Sequence, residues 1–363
     1  MSIQVSSHID ESKVRHFLSD VASAFAKNPF KPHRFFRGGH AQTLAAYAWP
    51  RRFRLRVATD QKRLFRVASD TQVLAYCRWQ ANPREHPTLV IWHGIEGSSD
   101  AVYMLATARK AFSAGFNVVR MNLRNCGDSE HLTPTLYHGG LTEDLRAVVT
   151  ELIDDDQLKK LFLVGVSLGG NMVLKLAGEY ADEPPAELLG VCAVSPSVDL
   201  NASAELILQR SNWLYHRDFL RRLKGRLVRK QKLYPESYDT SELSSVRDLR
   251  EFDDRYTSRA HGFDGAADYY YRASSIRVVD KIRVPTLIIH GKDDPFIPFA
   301  PLLDPKLAAN PYLLLIDPPQ GGHVAFLGTP TKNEDRFWAE NRVVEFCKLA
   351  DDAFGAALPP SLR

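Results

Sequence analysis

A serine near the middle of the chain lies in a setting that could make it a nucleophile. Ser167 stands between Gly165 and Gly169 in the pattern Gly-x-Ser-x-Gly, with an apolar run before it and a helical pattern after it. In a sharp strand-to-helix turn of this kind the hydroxyl is exposed at the sheet edge, and glycines are needed because larger side chains would collide with the backbone. The pattern predicts covalent acyl transfer on Ser167, and the alternative is a glycine-rich turn without chemistry.

A carboxylate and a histidine follow the serine in the order that such chemistry requires. Asp293 and Asp294 come shortly after the apolar run VPTLIIHG, and His323 follows the run YLLLID. The sequence favours Asp294, because Asp293 is better placed to cap the turn and Pro298 fixes the exit of the loop. Loop residues without a chemical role are the alternative, which their order on successive strand ends disfavours. We therefore predict that His323 is the base for Ser167 and that Asp294 orients it.

Two backbone amides are predicted to stabilise the oxyanion of a tetrahedral intermediate. One is the N–H of Leu168, directly after the serine, and the other is the N–H of Ile95 in the loop HGIEGSS. An ordinary strand-to-helix turn is the alternative for that loop. Three further histidines could approach the same place, and we interpret them as structural or substrate-contacting: His93, His138 and His290.

Short apolar runs alternate with helical patterns from about residue 60 onward. This alternation is typical of a mostly parallel sheet covered by helices on both faces, and it predicts an α/β fold. Strands are expected at 72–76, 88–92, 117–122, 161–166, 189–194, 286–290 and 312–316. Helices are expected at 101–113, 142–153, 168–180 and 334–353.

The alternation is interrupted once, which suggests an insertion. Residues 200–279 have a mainly helical pattern, and we predict that they form a cap over an α/β core made of residues 61–199 and 280–363. Residues 1–60 are rich in arginine and aromatic residues, and we expect them to wrap the core rather than form a domain.

The predicted cap contains a basic amphipathic helix at 213–233. Its basic residues are Arg217, Arg221, Arg222, Lys224, Arg226, Arg229, Lys230 and Lys232. Such a helix could make peripheral contact with an anionic membrane or receive lipid headgroups. The simpler hypothesis, which we favour, is a solvated cap helix packed on the core.

Composition narrows the class of function. The formal charge of +4 is too small a surplus to predict nucleic-acid binding. The four cysteines form no C-x-x-C pair, which favours the reducing cytoplasm and no disulfide framework or zinc site. No H-E-x-x-H motif occurs, and neither a metal nor an organic cofactor is expected. The uncharged run 161–174 is too short to span a bilayer, so no transmembrane segment is predicted. The oligomeric state stays open.

Together with the Gly-x-Ser-x-Gly pattern, a set of further motifs makes the sequence resemble the YheT-like, or EMB8-like, branch of α/β-hydrolases, which includes abhydrolase-domain lipases and esterases. The resemblance covers nearly the whole chain and rests on GHAQTL (39–44), HGIEGSS (93–99), LRNCG (123–127), REFDD (250–254), ADYY (267–270) and DDPFIP (293–298). It implies the α/β-hydrolase fold and hydrolysis of carboxylic esters or lipids. It also implies a catalytic triad of Ser167, Asp294 and His323, in agreement with the residues themselves.

Two other functions stay open at this point. Some members of the branch look like acyltransferases, which would pass the acyl group to an alcohol instead of water. A non-catalytic interaction protein on a hydrolase scaffold is also compatible with the fold, since fold alone does not establish activity. The presence of all three triad residues argues against the scaffold. Small acyl esters or lipids are therefore the expected substrates.

Overall fold

An eight-stranded sheet forms the centre of the computed structural model, which describes residues 9–51 and 60–356. Its strands are β1 Gln61–Ala68, β2 Thr71–Arg78, β3 Thr88–Trp92, β4 Asn117–Met121, β5 Leu161–Val166, β6 Leu188–Val194, β7 Thr286–Ile289 and β8 Leu313–Ile316. Their order in the sheet is β1-β2-β4-β3-β5-β6-β7-β8. β2 pairs antiparallel with β1 and with β4, and all other pairs are parallel. The predicted α/β fold with a mostly parallel sheet is confirmed.

The central strands are buried along their whole length, as continuous apolar runs predict. Every residue of β3, β5 and β6 is buried. β5 lies between the other two, with Trp92 opposite Gly165 and Val166 opposite Val194. Because these strands are parallel, their carboxyl ends meet at one edge of the sheet, where ligands bind in folds of this class. The loops after β3, β5, β7 and β8 therefore share this edge.

β1 is a strand that the sequence pattern does not predict. Only Phe65 of its eight residues is buried. The strand is held by pairing with β2, in which Leu64 lies opposite Leu74. An edge strand with one buried side chain has no clear period of two, so pairing rather than pattern defines it.

Helices cover both faces of the sheet. They are α1 Glu11–Lys27, α2 Gly39–Ala48, α3 Val102–Ser113, α4 Thr142–Asp154, α5 Leu168–Tyr180, α6 Leu200–Ile207, α7 Trp213–Leu233, α8 Leu249–Phe252, α9 Ser258–Ala260, α10 Ala266–Ala273, α11 Pro305–Ala308 and α12 Trp338–Phe354. A π-helical turn, Asp253–Thr257, joins α8 to α9. α3 packs against α12, and α4 packs against α5. The helices expected at 101–113, 142–153, 168–180 and 334–353 correspond to α3, α4, α5 and α12, and the basic helix expected at 213–233 corresponds to α7.

Two helices, α1 and α2, lie in the N-terminal segment, where the sequence pattern predicts only wrapping. α1 is amphipathic, and its Phe17 packs edge-on against Phe354 of α12, with 5.0 Å between the ring centroids. α2 lies near the loops that follow β7 and β8, and its contacts there are described below. Residues 1–8 and 52–59, which belong to the predicted wrapping segment, lie outside the described residues.

The chain between β6 and β7 forms the helices α6 to α10, and we call residues 200–279 the cap segment. Eight of its buried apolar side chains form a second hydrophobic cluster: Ile207, Leu220, Leu223, Leu227, Leu243, Val246, Leu249 and Phe252. Others, such as Leu200, Tyr269 and Tyr270, belong to the cluster of the sheet. Leu136, Phe296 and Ile297, from loops outside the cap segment, complete the second cluster. The shared cluster fixes the cap segment against those loops. Dividing the chain into a core of 61–199 and 280–363 and a cap of 200–279 stays a proposal.

Candidate active site

Ser167 lies in a strained turn between β5 and α5. Its φ is +56°, in the left-handed region that non-glycine residues rarely adopt. A Cβ on Gly165 would lie 2.1 Å from the carbonyl oxygen of Gly169, and one on Gly169 would lie 2.6 Å from the carbonyl oxygen of Trp92. Both distances are far below contact, so the turn requires glycine on either side of the serine. The steric argument made from the sequence thus holds in the structure.

The imidazole of His323 lies between the serine and a carboxylate. Its Nε2 is 3.1 Å from Oγ of Ser167, and its Nδ1 is 2.8 Å from Oδ2 of Asp294. Because a carboxylate accepts hydrogen bonds, Nδ1 carries the proton and Nε2 is left to accept from the serine hydroxyl. The structure therefore brings together the three side chains selected from the sequence, although they are separated by up to 156 residues.

Asp294 is buried and held in place by backbone amides. Its Oδ1 accepts hydrogen bonds from the N–H groups of Phe296, at 2.8 Å, and Ile297, at 3.1 Å. Burial by itself would raise the pKa of the Asp294 carboxyl, but the nearby His323 and these hydrogen bonds hold that pKa below its ordinary value. The carboxylate is thus kept ionised beside the imidazole.

The neighbouring carboxylate, Asp293, has a different partner. Its Oδ1 accepts a hydrogen bond of 2.9 Å from the amide of Gly322. Gly39 of α2 approaches the same loop so closely that a Cβ there would lie 1.8 Å from the carbonyl oxygen of Asp293. Asp293 thus ties the carboxylate loop to the histidine loop, a role beyond the turn capping that the sequence predicts.

Helix α2 positions the histidine loop, and the sequence analysis assigned no such role to it. The Thr43 hydroxyl accepts a hydrogen bond of 2.9 Å from the amide of His323 and donates one of 2.7 Å to the carbonyl of Gly39. Gln42 is fully buried and exchanges two hydrogen bonds with the backbone of Leu327. The available signal was the motif GHAQTL, whose polar residues lie within a short helix of weak amphipathic pattern.

The two predicted oxyanion donors lie on either side of the serine. Leu168 is the first residue of α5, so its N–H has no acceptor within the helix. The loop after β3 approaches closely, since a Cβ on Gly94 would lie 2.9 Å from Cβ of Ser167. The amides of Gly94 and Glu96 donate to tyrosine hydroxyls at 3.0 Å, whereas the amide of Ile95 between them has no acceptor among the described residues. Its role as an oxyanion donor stays a prediction.

The three other histidines have different surroundings. His93 is fully buried, and its ring donates to the Gly94 carbonyl at 2.7 Å and accepts from the Leu123 amide at 3.1 Å. Burial lowers the pKa of His93 to about 4, so this side chain holds the loop after β3 as a neutral ring. His138 lines the cavity described next. His290 is buried at the end of β7, and burial lowers its pKa although Asp294 opposes the shift.

A cavity of about 980 Å³, including its open mouth, lies between the cap segment and the loops at the sheet edge. Ser167 and His323 are part of its wall. Most of the remaining lining is apolar and comes from both sides, with Leu136, Leu200, Ile207, Phe219, Leu223 and Phe252 among the residues. A mainly apolar lining with a few polar groups beside it is typical of pockets that bind a small apolar ligand.

Comparison with known proteins identifies the family. A family model described as the alpha/beta hydrolase fold matches residues 87–330. YheT of Escherichia coli (strain K12), which is named as an esterase, is 33% identical over 329 residues, or 87% of this chain and 92% of YheT. The chain belongs to the α/β-hydrolase family. The likeness to YheT also confirms the predicted branch of these hydrolases.

Two further relatives define how far the likeness extends. The monoacylglycerol lipase of Saccharomyces cerevisiae is 31% identical to this hydrolase. The match covers 73% of this chain and 60% of the yeast protein. Est1E from Butyrivibrio proteoclasticus has a solved structure that matches with a TM-score of 0.52 at 18% identity, covering 80% of this chain and 99% of Est1E, and this likeness concerns the fold alone. The esterase and lipase names of the sequence relatives confirm the predicted enzyme class, a carboxylic ester hydrolase.

Residues 9–51 and 60–356 also bear on metal binding and on membrane crossing. Within these ranges, no three histidine, cysteine, aspartate or glutamate side chains are grouped so that they could hold a metal ion. None of the helices found there combines the length and the apolar character needed to cross a bilayer. The predicted cytoplasmic location and lack of nucleic-acid binding stay predictions. For α7, both the favoured solvated cap helix and the alternative of peripheral membrane contact stay hypotheses.

Proposed function

We propose that this hydrolase cleaves carboxylic esters with apolar acyl groups through an acyl-enzyme on Ser167. One observation carries the proposal: a single imidazole, that of His323, lies within hydrogen-bond distance of both the Ser167 hydroxyl and the Asp294 carboxylate. This is the arrangement that activates a serine for attack on a carbonyl carbon. The contact lies in the wall of an apolar cavity, which supports an acyl chain as the bound group.

The proposed reaction has two half-reactions. In the first, His323 accepts the hydroxyl proton while Oγ of Ser167 attacks the ester carbonyl, and the oxyanion binds the amides of Leu168 and Ile95. Collapse of this intermediate breaks the ester C–O bond, and His323 gives the proton to the leaving alcohol. In the second, His323 takes a proton from water as the water oxygen attacks the acyl carbon. Collapse of this intermediate breaks the bond between the acyl carbon and Oγ of Ser167, His323 returns the proton to Oγ, and the carboxylic acid leaves. Asp294 orients the imidazole and stabilises its protonated form throughout.

The cap segment is proposed to select the acyl group. Side chains of α6, α7 and α8 form one side of the cavity, and the loops with Ser167 and His323 form the other. The reacting atoms and the selecting surface thus belong to different parts of the chain. A series of nitrophenyl esters from acetate to long acyl chains would locate the optimum length, since each added methylene changes specificity by about 10-fold or more where it is enclosed.

An alkyl fluorophosphonate tests the nucleophile, because it reacts covalently with activated serines. We expect labelling of the wild-type protein and none of folded Ser167→Ala. Ser197→Ala is the matched control, because Ser197 also lines the cavity but donates its hydrogen bond to Ser203. Labelling should persist in this control. Folded wild-type protein that does not react would contradict the proposal and favour the non-catalytic scaffold.

Acyl transfer to an alcohol would use the same acyl-enzyme. Adding an alcohol to a nitrophenyl ester assay distinguishes the two reactions, because transfer yields a new ester while nitrophenol release continues. We expect the free carboxylic acid to be the main product. A new ester as the main product would instead identify an acyltransferase.

A further inference from the structure

The cap helix α7 has two buried basic residues, whereas its other cations are half-buried or exposed. Arg226 is 6% exposed and Lys230 is fully buried, whereas Arg221 and Arg229 on the same helix remain largely exposed. A buried cation is costly unless it is paired and hydrogen-bonded. The hydrogen-bond partners of these two side chains therefore show which parts of the protein the helix contacts and fixes.

Arg226 pairs with Glu96 of the loop after β3. Its Nε donates to Oε1 of Glu96 at 2.8 Å, and its Nη2 donates to Oε2 at 3.0 Å. Both side chains are more than nine-tenths buried. This is the two-bond arrangement in which a guanidinium fixes both the position and the orientation of a carboxylate.

Glu96 is also held from a second direction, by Tyr137. The Tyr137 hydroxyl accepts from the Glu96 amide at 3.0 Å and donates to its carboxylate at 2.9 Å. The φ of Glu96 is +53°, a conformation that a non-glycine residue keeps only when its surroundings impose it. The adjacent residue is Ile95, whose amide is the proposed second oxyanion donor. The turn that aims this amide is thus fixed through the Glu96 side chain.

We propose that Arg226 is a positioning residue that holds the oxyanion turn through Glu96, so that an efficient oxyanion site requires the cap helix to be docked. The inference rests on the proposed function, because it concerns the same acyl transfer. Arg226 also lines the cavity, but its hydrogen bonds go to the carboxylate of Glu96 and not to Ser167 or His323. Its loss should therefore weaken stabilisation of the transition state more than binding of the ester.

A comparison with Lys230 distinguishes the proposed positioning role of Arg226 from a role in attaching the cap segment alone. It lies one helical turn after Arg226 and donates hydrogen bonds to the carbonyls of Glu130 and Thr133. It therefore also fastens α7 to the rest of the protein, but at a loop that carries none of the proposed catalytic groups. Removing either cation loosens the cap, and only the loss of Arg226 frees the oxyanion turn.

The test measures kcat and KM for a nitrophenyl ester together with inhibition by a trifluoromethyl ketone of the same chain length. The ketone forms a tetrahedral adduct whose oxyanion occupies the oxyanion site. We expect Arg226→Gln to lower kcat by about 10- to 100-fold with KM little changed, since outright loss of one donor costs about 100- to 1000-fold. Affinity for the ketone should fall in parallel with kcat/KM. Glu96→Gln and Arg226→Lys should also lower kcat and ketone affinity with KM little changed, but by smaller factors.

Lys230→Met and Arg229→Gln are the controls, and both should keep kcat and ketone affinity within about 3-fold of wild type. If folded Arg226→Gln keeps wild-type kcat, or if Lys230→Met reproduces its losses, the inference is wrong. Should Arg226→Gln fail to fold, Arg226→Lys and Glu96→Gln decide the question by the same two measurements. A wild-type protein without activity or ketone binding would instead overturn the proposed function.

Discussion

The loops that carry Ser167, Asp294 and His323 differ from the cap segment in how they are positioned. Each of these loops follows a strand of a parallel sheet, so the sheet brings their residues to one edge regardless of their separation in the sequence. The cap segment is positioned by contacts between distant side chains, such as the pair of Arg226 with Glu96, which are 130 residues apart. The proposed catalytic residues can therefore be inferred from local patterns at strand ends, whereas the proposed selection of the acyl group by the cap segment depends on contacts that no local pattern encodes.

The largest effect on kcat is expected in the loop after β7, where it should distinguish the two adjacent aspartates, Asp293 and Asp294. Asp294→Asn should lower kcat by about 10³- to 10⁴-fold, because an amide neither fixes the required tautomer of His323 nor stabilises its protonated form. Asp293→Asn can still accept from the Gly322 amide, so its loss in kcat should stay below about 10-fold. Steady-state kinetics with a nitrophenyl ester checks both variants. Equal losses would show that the carboxylate loop does not distinguish its two residues.

A second prediction concerns a carboxyl group of the cap segment. Asp253 is half-buried in the cavity wall and accepts hydrogen bonds of 2.7 Å from Thr257 and Tyr270. Burial raises the pKa of Asp253 from 3.8 to about 6. The native protein therefore keeps a proton that the unfolded chain releases above about pH 4. The stability that this group contributes is complete below that pH and is lost as the pH rises through about 6.

Replacing this carboxyl group with an amide should flatten the pH dependence. The pKa rise of Asp253 corresponds to about 3 kcal/mol, since one pKa unit is worth about 1.4 kcal/mol. Asp253→Asn should therefore gain stability relative to wild type by up to that amount as the pH increases from 4 to 7. Urea unfolding of both proteins at intervals across this range measures the difference. A difference in free energy of unfolding that is constant with pH would contradict the assignment to Asp253.

The sequence predicts the central strands and the catalytic candidates because both depend on short-range patterns. Gly165 is needed because a Cβ there would collide with the carbonyl of nearby Gly169, and Asp294 and His323 each lie in the loop after an apolar strand. The same approach fails for β1, whose single buried residue, Phe65, leaves no period to detect. It also assigns no role to α2, because Thr43 acts by accepting a hydrogen bond from the amide of His323, which is 280 residues away.

The basic helix shows a similar division within one element. The sequence pattern predicts its bounds, Trp213–Leu233, correctly. The pattern cannot show that Arg226 and Lys230 turn inward, because their partners lie in loops 97 to 130 residues earlier in the chain. An amphipathic pattern counts every cation as polar, and only the distant carboxylate and carbonyls decide which cations are buried.

A smaller effect is expected at α2, which lies outside the sheet and supports the loop that carries His323. Thr43→Val removes the hydroxyl that accepts from the His323 amide while keeping the shape of the side chain. We expect it to lower the free energy of unfolding by about 1 to 2 kcal/mol and kcat by about 10-fold. Thr43→Ser keeps the hydroxyl and should retain most of the wild-type stability and most of the wild-type kcat. If Val and Ser behave alike, the hydroxyl does not position the histidine loop.

The smallest effect is expected on the outer face of α7. Arg221 and Arg222 both contact Asp218 at 2.7 Å on the protein surface, and exposed pairs of this kind contribute at most about 1 kcal/mol. Asp218 also offsets part of their charge, which weakens the case for a membrane-binding face. Arg221→Gln/Arg222→Gln should therefore leave unfolding, ester hydrolysis and adsorption to phosphatidylserine vesicles nearly unchanged. A loss of vesicle binding of about 10-fold or more, at about 1 kcal/mol per basic residue, would instead identify this face as a membrane surface.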